Sequence, residues 1–208
     1  MQSLDLPKNL SINKGDIIRI TGGTGAGKTT FINTLLGKDK DGKVNAIIDL
    51  KSIHDKVIHL RQDIRDATPF GRVSIYDLFA SNDEQTIYQM LSVVGLLDWF
   101  ENDMKKSFTN HIDGKISGGQ KTLLCIAMTL FETSRMKKEM IILDEPEQGL
   151  DEEIIRKTFE SMIDWLKNVN PHIRILFISH CCDCIVSRLP KHKHWHLERN
   201  KETFRLHL

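Results

Sequence analysis

Gly22-Gly23-Thr24-Gly25-Ala26-Gly27-Lys28-Thr29-Thr30 is the stretch on which the reading of this chain turns. It fits the pattern G-x-x-x-x-G-K-[ST], with Gly22, Gly27, Lys28 and Thr29 at the required spacings. Upstream, residues 16–21 (DIIRIT) read as a short buried strand. Downstream, residues 29–36 (TTFINTLL) place apolar side chains at helical spacing. A glycine-rich turn between strand and helix aims several backbone N–H groups and a helix N-terminus at one point, which favours a polyphosphate. In that setting Lys28 reaches the β- and γ-phosphates, and the Thr29 hydroxyl helps to hold Mg²⁺. Glycine-rich turns of purely structural use are common, but they do not require strand, loop, Lys-Thr pair and helix together.

The rest of the chain is of a size to carry such a site. Its 208 residues suffice for one large domain with a substantial core. The net charge of +1 gives no global reason to expect nucleic acid or an anionic membrane as partner. No apolar run reaches the roughly 18 residues of a membrane span. The opening MQSLDLPKNL lacks the charged-then-apolar pattern of a secretory signal, so a cytoplasmic location is expected. The four cysteines, Cys125, Cys181, Cys182 and Cys184, form no disulfide framework for this length, which agrees with a reducing compartment. Cys181, Cys182 and Cys184, followed by His192, His194 and His196, invite a metal reading, but their spacing matches no structural zinc pattern.

Beyond the glycine-rich loop, residues 43–50 (KVNAIIDL) and 56–60 (KVIHL) read as strands. Residues 63–115 change texture: a loop at Thr68-Pro69-Phe70-Gly71, a short helix over 75–80, and a longer one capped by Asn82 or Asp83. In the longer helix Ile87, Met90, Leu91 and Val94 fall at i, i+3, i+4, i+7, and residues 96–100 are expected to continue in helix. Ser117-Gly118-Gly119-Gln120 opens a helix to about residue 133. The four apolar residues 140–143 (MIIL) suit a central strand covered on both faces. An amphipathic helix over 154–166, a buried strand over 173–178 and a hairpin over 194–197 and 203–206 complete the chain.

Chemistry concentrates after the MIIL strand, at Asp144-Glu145. An Asp at the end of a central strand can orient Mg²⁺ or its waters, and a Glu one residue later can poise a water for in-line attack on a γ-phosphate. The alternative is an acidic pair opening a helix, which Pro146 would suit but which leaves the strand before it unexplained.

Taken together these motifs resemble those of an ABC-type (ATP-binding cassette) nucleotide-binding domain. Residues 22–30 match that family's Walker A loop and residues 140–145 its Walker B strand with the catalytic glutamate. Ile116-Ser117-Gly118-Gly119-Gln120 matches the signature, usually Leu-Ser-Gly-Gly-Gln. Gln62 fits the Q-loop, Leu150-Asp151 the D-loop and His180 the switch histidine, all in the family's order.

The resemblance implies an α/β fold: a P-loop NTPase core with a mostly parallel sheet, an inserted helical subdomain and a reduced antiparallel β-subdomain. Residues 1–208 would form one domain, with 1–62 and 116–208 as core and 63–115 as the helical insert. It also implies the roles of individual residues. Gly22, Gly23, Thr24, Gly25, Ala26, Gly27, Lys28, Thr29 and Thr30 would bind the phosphates of ATP, with Lys28 bridging β and γ and Thr30 near α. Thr29, Gln62 and Asp144 would form the Mg²⁺ environment. Glu145 would be the general base, with Gln62 and His180 completing the catalytic set. Ser117, Gly118, Gly119 and Gln120, with Asp151, would complete the site of a second ABC domain in a homodimer or heterodimer.

Some residues depart from the family pattern. No aromatic residue precedes Phe31, where the family carries an adenine-stacking ring. The interval between Thr30 and Gln62 is short for the family's β-subdomain, the helix after the signature lacks the usual arginines, and Gln148-Gly149 replaces the common Ser-Ala.

The function so implied is the ATPase subunit of a membrane transporter, working against a membrane-spanning partner at the cytoplasmic face. Residues 70–75 (FGRVSI) resemble the post-Q-loop segment of exporters. The other reading is a non-transport ABC ATPase, such as an SMC-like DNA-organising head. Residues 117–123 (SGGQKTL) resemble that signature helix, but residues 63–116 are too few for its long heptad-patterned arm. A module that binds ATP and hydrolyses it poorly is a third, against which Glu145 and His180 stand.

Overall fold

A computed structural model of the chain describes residues 3–5, 10–36, 55–61, 63–112, 116–179, 192–200 and 203–207. In chain order the elements are β1 (Ser3–Asp5), β2 (Ile17–Thr21), α1 (Lys28–Leu35), β3 (Val57–Leu60), α2 (Ile64–Ala67), a 3-10 turn (Phe70–Arg72) and α3 (Ile75–Phe79). There follow α4 (Glu84–Val93), α5 (Leu97–Asn102), α6 (Gly118–Arg135), β4 (Met140–Asp144), α7 (Glu152–Val169), β5 (Arg174–Ile178), β6 (Lys193–Asn200) and β7 (Thr203–His207).

The strands form one seven-stranded sheet in the order β1-β7-β6-β2-β5-β4-β3. Its pairings are parallel except for the β6–β7 hairpin, so the sheet is mostly parallel as expected. β2 sits between β5 and β6. The chain leaves β2 toward β3 and β4 on one side and later reaches β6 on the other. In open α/β sheets such a reversal leaves a crevice at the carboxyl ends of the strands, where ligands bind.

The MIIL run is explained by cover on both faces. Met140 and Ile142 enter one core with Phe31 and Ile32 of α1, while Ile141 and Leu143 enter the other with Leu124 of α6 and Phe159 of α7. Side chains alternate with a period of two, so a strand packed on both faces reads as unbroken apolar sequence. Phe31 also meets the Trp195 ring of β6 edge-on, with centroids 6.1 Å apart. Burying one such ring contributes about 1.5–3 kcal/mol. This anchors α1, and with it the loop at its head, to the sheet.

Between β3 and α6 the described residues form helices and turns only. Ile87, Met90 and Leu91 are buried, as their spacing predicts. Asp83, not Asn82, is the cap: its carboxylate accepts the Thr86 N–H at 3.1 Å. Residues 96–100 do not continue that helix. Gly95 takes a left-handed φ of 76°, the usual way for a helix to end, and α5 begins afresh at Leu97. α6 runs two residues beyond the expected 133, to Arg135. The strand expected over 43–50 lies outside the described residues.

Candidate functional site

β2 delivers the glycine-rich loop to the crevice, and its glycines have distinct jobs. A Cβ on Gly22 would stand 2.5 Å from the Leu197 carbonyl of β6, so only glycine lets the loop pass this close to the strand. Gly25 and Gly27 hold left-handed φ values of 75° and 89°. Gly27 is the N-cap of α1 and supplies no side-chain bond to it, so the cap leaves the helix N-terminus open to an anion. Thr24, Gly25, Thr29 and Thr30 are exposed around this opening, whereas Ala26 and Lys28 are buried. The Lys28 ammonium folds back across the loop, donating to the Gly22 carbonyl at 2.8 Å and the Gly23 carbonyl at 3.3 Å.

β4 delivers the acidic pair. Asp144 is the last residue of the strand and 5% exposed. Glu145 turns the chain with a φ of 50°, and its N–H donates to the Ile178 carbonyl of β5 at 3.0 Å. The next helix starts only at Glu152. The pair therefore closes a strand and does not open a helix, which removes the capping alternative. The cap of that helix is Asp151, whose carboxylate accepts the Ile154 N–H at 2.9 Å.

Thr29 and Asp144 line one cleft of about 570 Å³, with Asn33, His59, Arg61 and Gln148 among its other walls. A hydroxyl and a buried carboxylate are hard oxygen donors, the kind Mg²⁺ takes, so these residues fit the ion that the motif implies. Asn33 is one helical turn beyond Thr29 on the same side of α1, a position the helix period makes legible. The sequence does not mark His59 or Gln148 as walls of the cleft. The first depends on strand register and the second on the course of a turn, neither of which leaves a periodic signal.

Ser117 and Gln120 form a capping box at the head of α6. The Ser117 hydroxyl oxygen accepts the Gln120 N–H at 3.2 Å, and the Ser117 N–H donates to Gln120 Oε1 at 2.7 Å. The Gln120 side chain thus serves its own helix, while the Ser117 O–H remains a donor. Ser117 and Gly118 are exposed. Gly119 packs against the turn after Glu145: a Cβ there would meet the Gly149 carbonyl at 3.0 Å. Thr122 reinforces the contact by donating its hydroxyl to the Gln148 carbonyl at 2.9 Å.

Gln62 and His180 lie outside the described residues. Their neighbours Arg61 and Ser179 sit at the carboxyl ends of β3 and β5, on the edge of the sheet that also carries the loop and the acidic pair. Cys181, Cys182 and Cys184 also lie outside; Cys125 is buried. His194 Nε2 and His196 Nδ1 each lie 2.8 Å from the Thr21 hydroxyl, pinning the end of β2 where the loop begins. Burial, then the Arg19 guanidinium, holds His194 below the usual imidazole range. Among the described residues no group of three or more His, Cys, Asp or Glu side chains is placed to hold a metal.

A family model described as "ABC transporter" matches residues 7–148. The chain is 29% identical over 178 residues to the L-cystine import ATP-binding protein of Bacillus subtilis. That match covers 76% of this chain, and the chain spans 64% of that relative's length. Among solved structures, a dimeric post-hydrolysis ATP-binding cassette bound to ADP and phosphate superposes with a TM-score of 0.62 at 21% identity, over 91% of this chain and 84% of that one. An archaeal ribosome recycling factor, solved with a ribosomal stalk protein, gives 0.69 at 15% identity, over 99% of this chain and 40% of that one. At such identities the two structures speak for the fold, and both share it.

Proposed function

The chain belongs to the ABC transporter family, and from that premise we propose that it is the ATP-binding and ATP-hydrolysing subunit of a transporter, acting as a head-to-tail dimer on a membrane-spanning partner. The observation that carries the proposal is the meeting of Thr29 and Asp144 in one cleft, with Glu145 next in the chain. The loop amides of residues 25–28 and the α1 N-terminus take the phosphates. Lys28 exchanges its two backbone carbonyls for β- and γ-phosphate oxygens. Thr29 and Asp144, with Gln62 by the family resemblance, would hold Mg²⁺, which when bound would neutralise phosphate charge.

Hydrolysis then needs a base. The Glu145 carboxylate accepts a proton from the attacking water as its oxygen bonds to the γ-phosphorus. The bond from that phosphorus to the β–γ bridging oxygen breaks, its electron pair leaving with ADP. His180 contacts the γ-phosphate. Ser117 and Gly118, exposed at the head of α6, with the half-buried Gly119 beside them, suit the γ-phosphate held by a second copy.

A shallow groove of about 470 Å³ beside Pro69, Phe70, Arg72 and Lys121 is the proposed docking place of that membrane partner. No helix among the described residues is long and apolar enough to cross a membrane, so the spanning part would belong to another segment or chain. The proposed working place is the cytoplasmic face of the membrane, beside that partner.

Glu145→Gln is expected to lower phosphate release by about 100-fold or more while ATP is retained, and to shift the chain from monomer to dimer in sedimentation when ATP and Mg²⁺ are present. Ser117→Arg in that background should abolish the dimer without weakening ATP binding to the monomer. Unchanged turnover in Glu145→Gln would remove Glu145 as base. A dimer surviving Ser117→Arg would remove the composite site. A nucleic-acid complex, in place of a membrane protein, co-purifying with the trapped dimer would favour the non-transport reading.

A further inference from the structure

β3 and β4 run parallel with His59 opposite Ile142. Residues opposite one another in a parallel pair share a face, and so do residues two apart on a strand. His59 therefore shares its face with Asp144, on a neighbouring strand roughly 4.8 Å away. Its Nε2 lies 3.9 Å from Asp144 Oδ2, and the two side chains are 10% and 6% exposed. Both ring nitrogens are shielded from solvent, so the ring offers no nitrogen to an ion in the cleft without turning. It needs to close only about 1 Å to make an N–H···O bond to the carboxylate. Val57, two residues earlier on the same face, packs against the apolar core instead. An aliphatic side chain thus fits this face of β3 one step back, and packing alone does not call for an imidazole beside the acid.

We infer that His59 is a positioning residue for Asp144: its ring donates Nε2–H to Oδ2, so that Oδ1 would serve the metal. This rests on the proposed reading of Asp144 as a metal ligand. Carboxylates that bind metals are themselves hydrogen-bonded, and loss of that second partner costs about 10–100-fold in metal affinity. Bonds of this kind are often long before the ligands arrive and tighten in the loaded site.

The test titrates Mn²⁺ by its free-ion electron paramagnetic resonance signal, with the protein saturated in ADP. His59→Leu is expected to weaken Mn²⁺ binding about 10–100-fold. His59→Gln, which keeps a donor, should restore most of it. ADP affinity measured in chelator should be the same in all three proteins. Tight Mn²⁺ binding by a folded His59→Leu protein overturns the inference, and so does equal loss in the Leu and Gln variants, which is the mark of a packing role. Asp144→Asn separates the two layers: if it binds Mn²⁺ as tightly as the unaltered chain, the reading of Asp144 itself fails. In the unaltered chain, ¹⁵N-histidine labelling should show a slowly exchanging proton on His59 Nε2 with Mg²⁺ and ADP bound. A proton on Nδ1 alone would overturn the inference without recourse to any variant.

Discussion

At Gly22 the absence of a methyl group decides whether β6 can lie beside the loop. The Leu197 carbonyl stands 2.5 Å from where a Cβ would be, and it is backbone, so it cannot swing aside. Gly22→Ala is expected to cost about 1–3 kcal/mol, as overpacking does, and to lower the melting temperature measurably. Gly23→Ala, where a Cβ meets nothing within 4 Å, should melt with the unaltered chain. The motif requires Gly22 and leaves Gly23 open, and the structure supplies the packing reason for the difference. The same holds around the acidic pair. Asp144 and Glu145 were legible because an apolar strand runs straight into them, whereas His59 was not. Read alone, the string VIHLR places a histidine on a strand. That it faces Asp144 depends on pairing His59 with Ile142, a register set by contacts about 80 residues apart in the chain.

Among the elements, those with strong local signals were read best. α7 was legible from its apolar stripe, and its start is fixed by Asp151, whose carboxylate caps Ile154. This gives Asp151 a duty to its own helix besides the one proposed for it across a dimer. Asp151→Ala is expected to destabilise the chain by about 1 kcal/mol in urea unfolding, and Asp151→Ser, which still caps, to keep most of that stability. A fall in ATP turnover common to both would then report the second duty alone. α4 and α5 were merged in the sequence reading because apolar residues continue past Gly95. The left-handed turn at that glycine, with a φ of 76°, breaks the helix while the apolar stripe carries on into the same core. Periodicity reports which residues are buried; it does not report where a backbone reverses.

For the whole molecule, the parallel sheet brings together sites far apart in sequence by aligning the carboxyl ends of β2, β3, β4 and β5. The family's motif order made that gathering foreseeable. The order β1-β7-β6-β2-β5-β4-β3 was not, because nothing local distinguishes one buried strand's neighbour from another's. The contact between α6 and the turn after Glu145 has a meaning beyond packing. Gly119 and Thr122 hold Gly149 and Gln148 directly, so the segment proposed to grip a partner's phosphate is fastened to the turn that follows Glu145, the proposed base. Two such chains joined head to tail would form a closed ring of levers, each occupied site tilting the other's glutamate. Turnover should then rise sigmoidally with ATP. Thr122→Val, which removes the hydroxyl bond to the Gln148 carbonyl, is expected to bring the Hill coefficient in a steady-state ATPase titration down toward one, leaving ATP affinity per site intact.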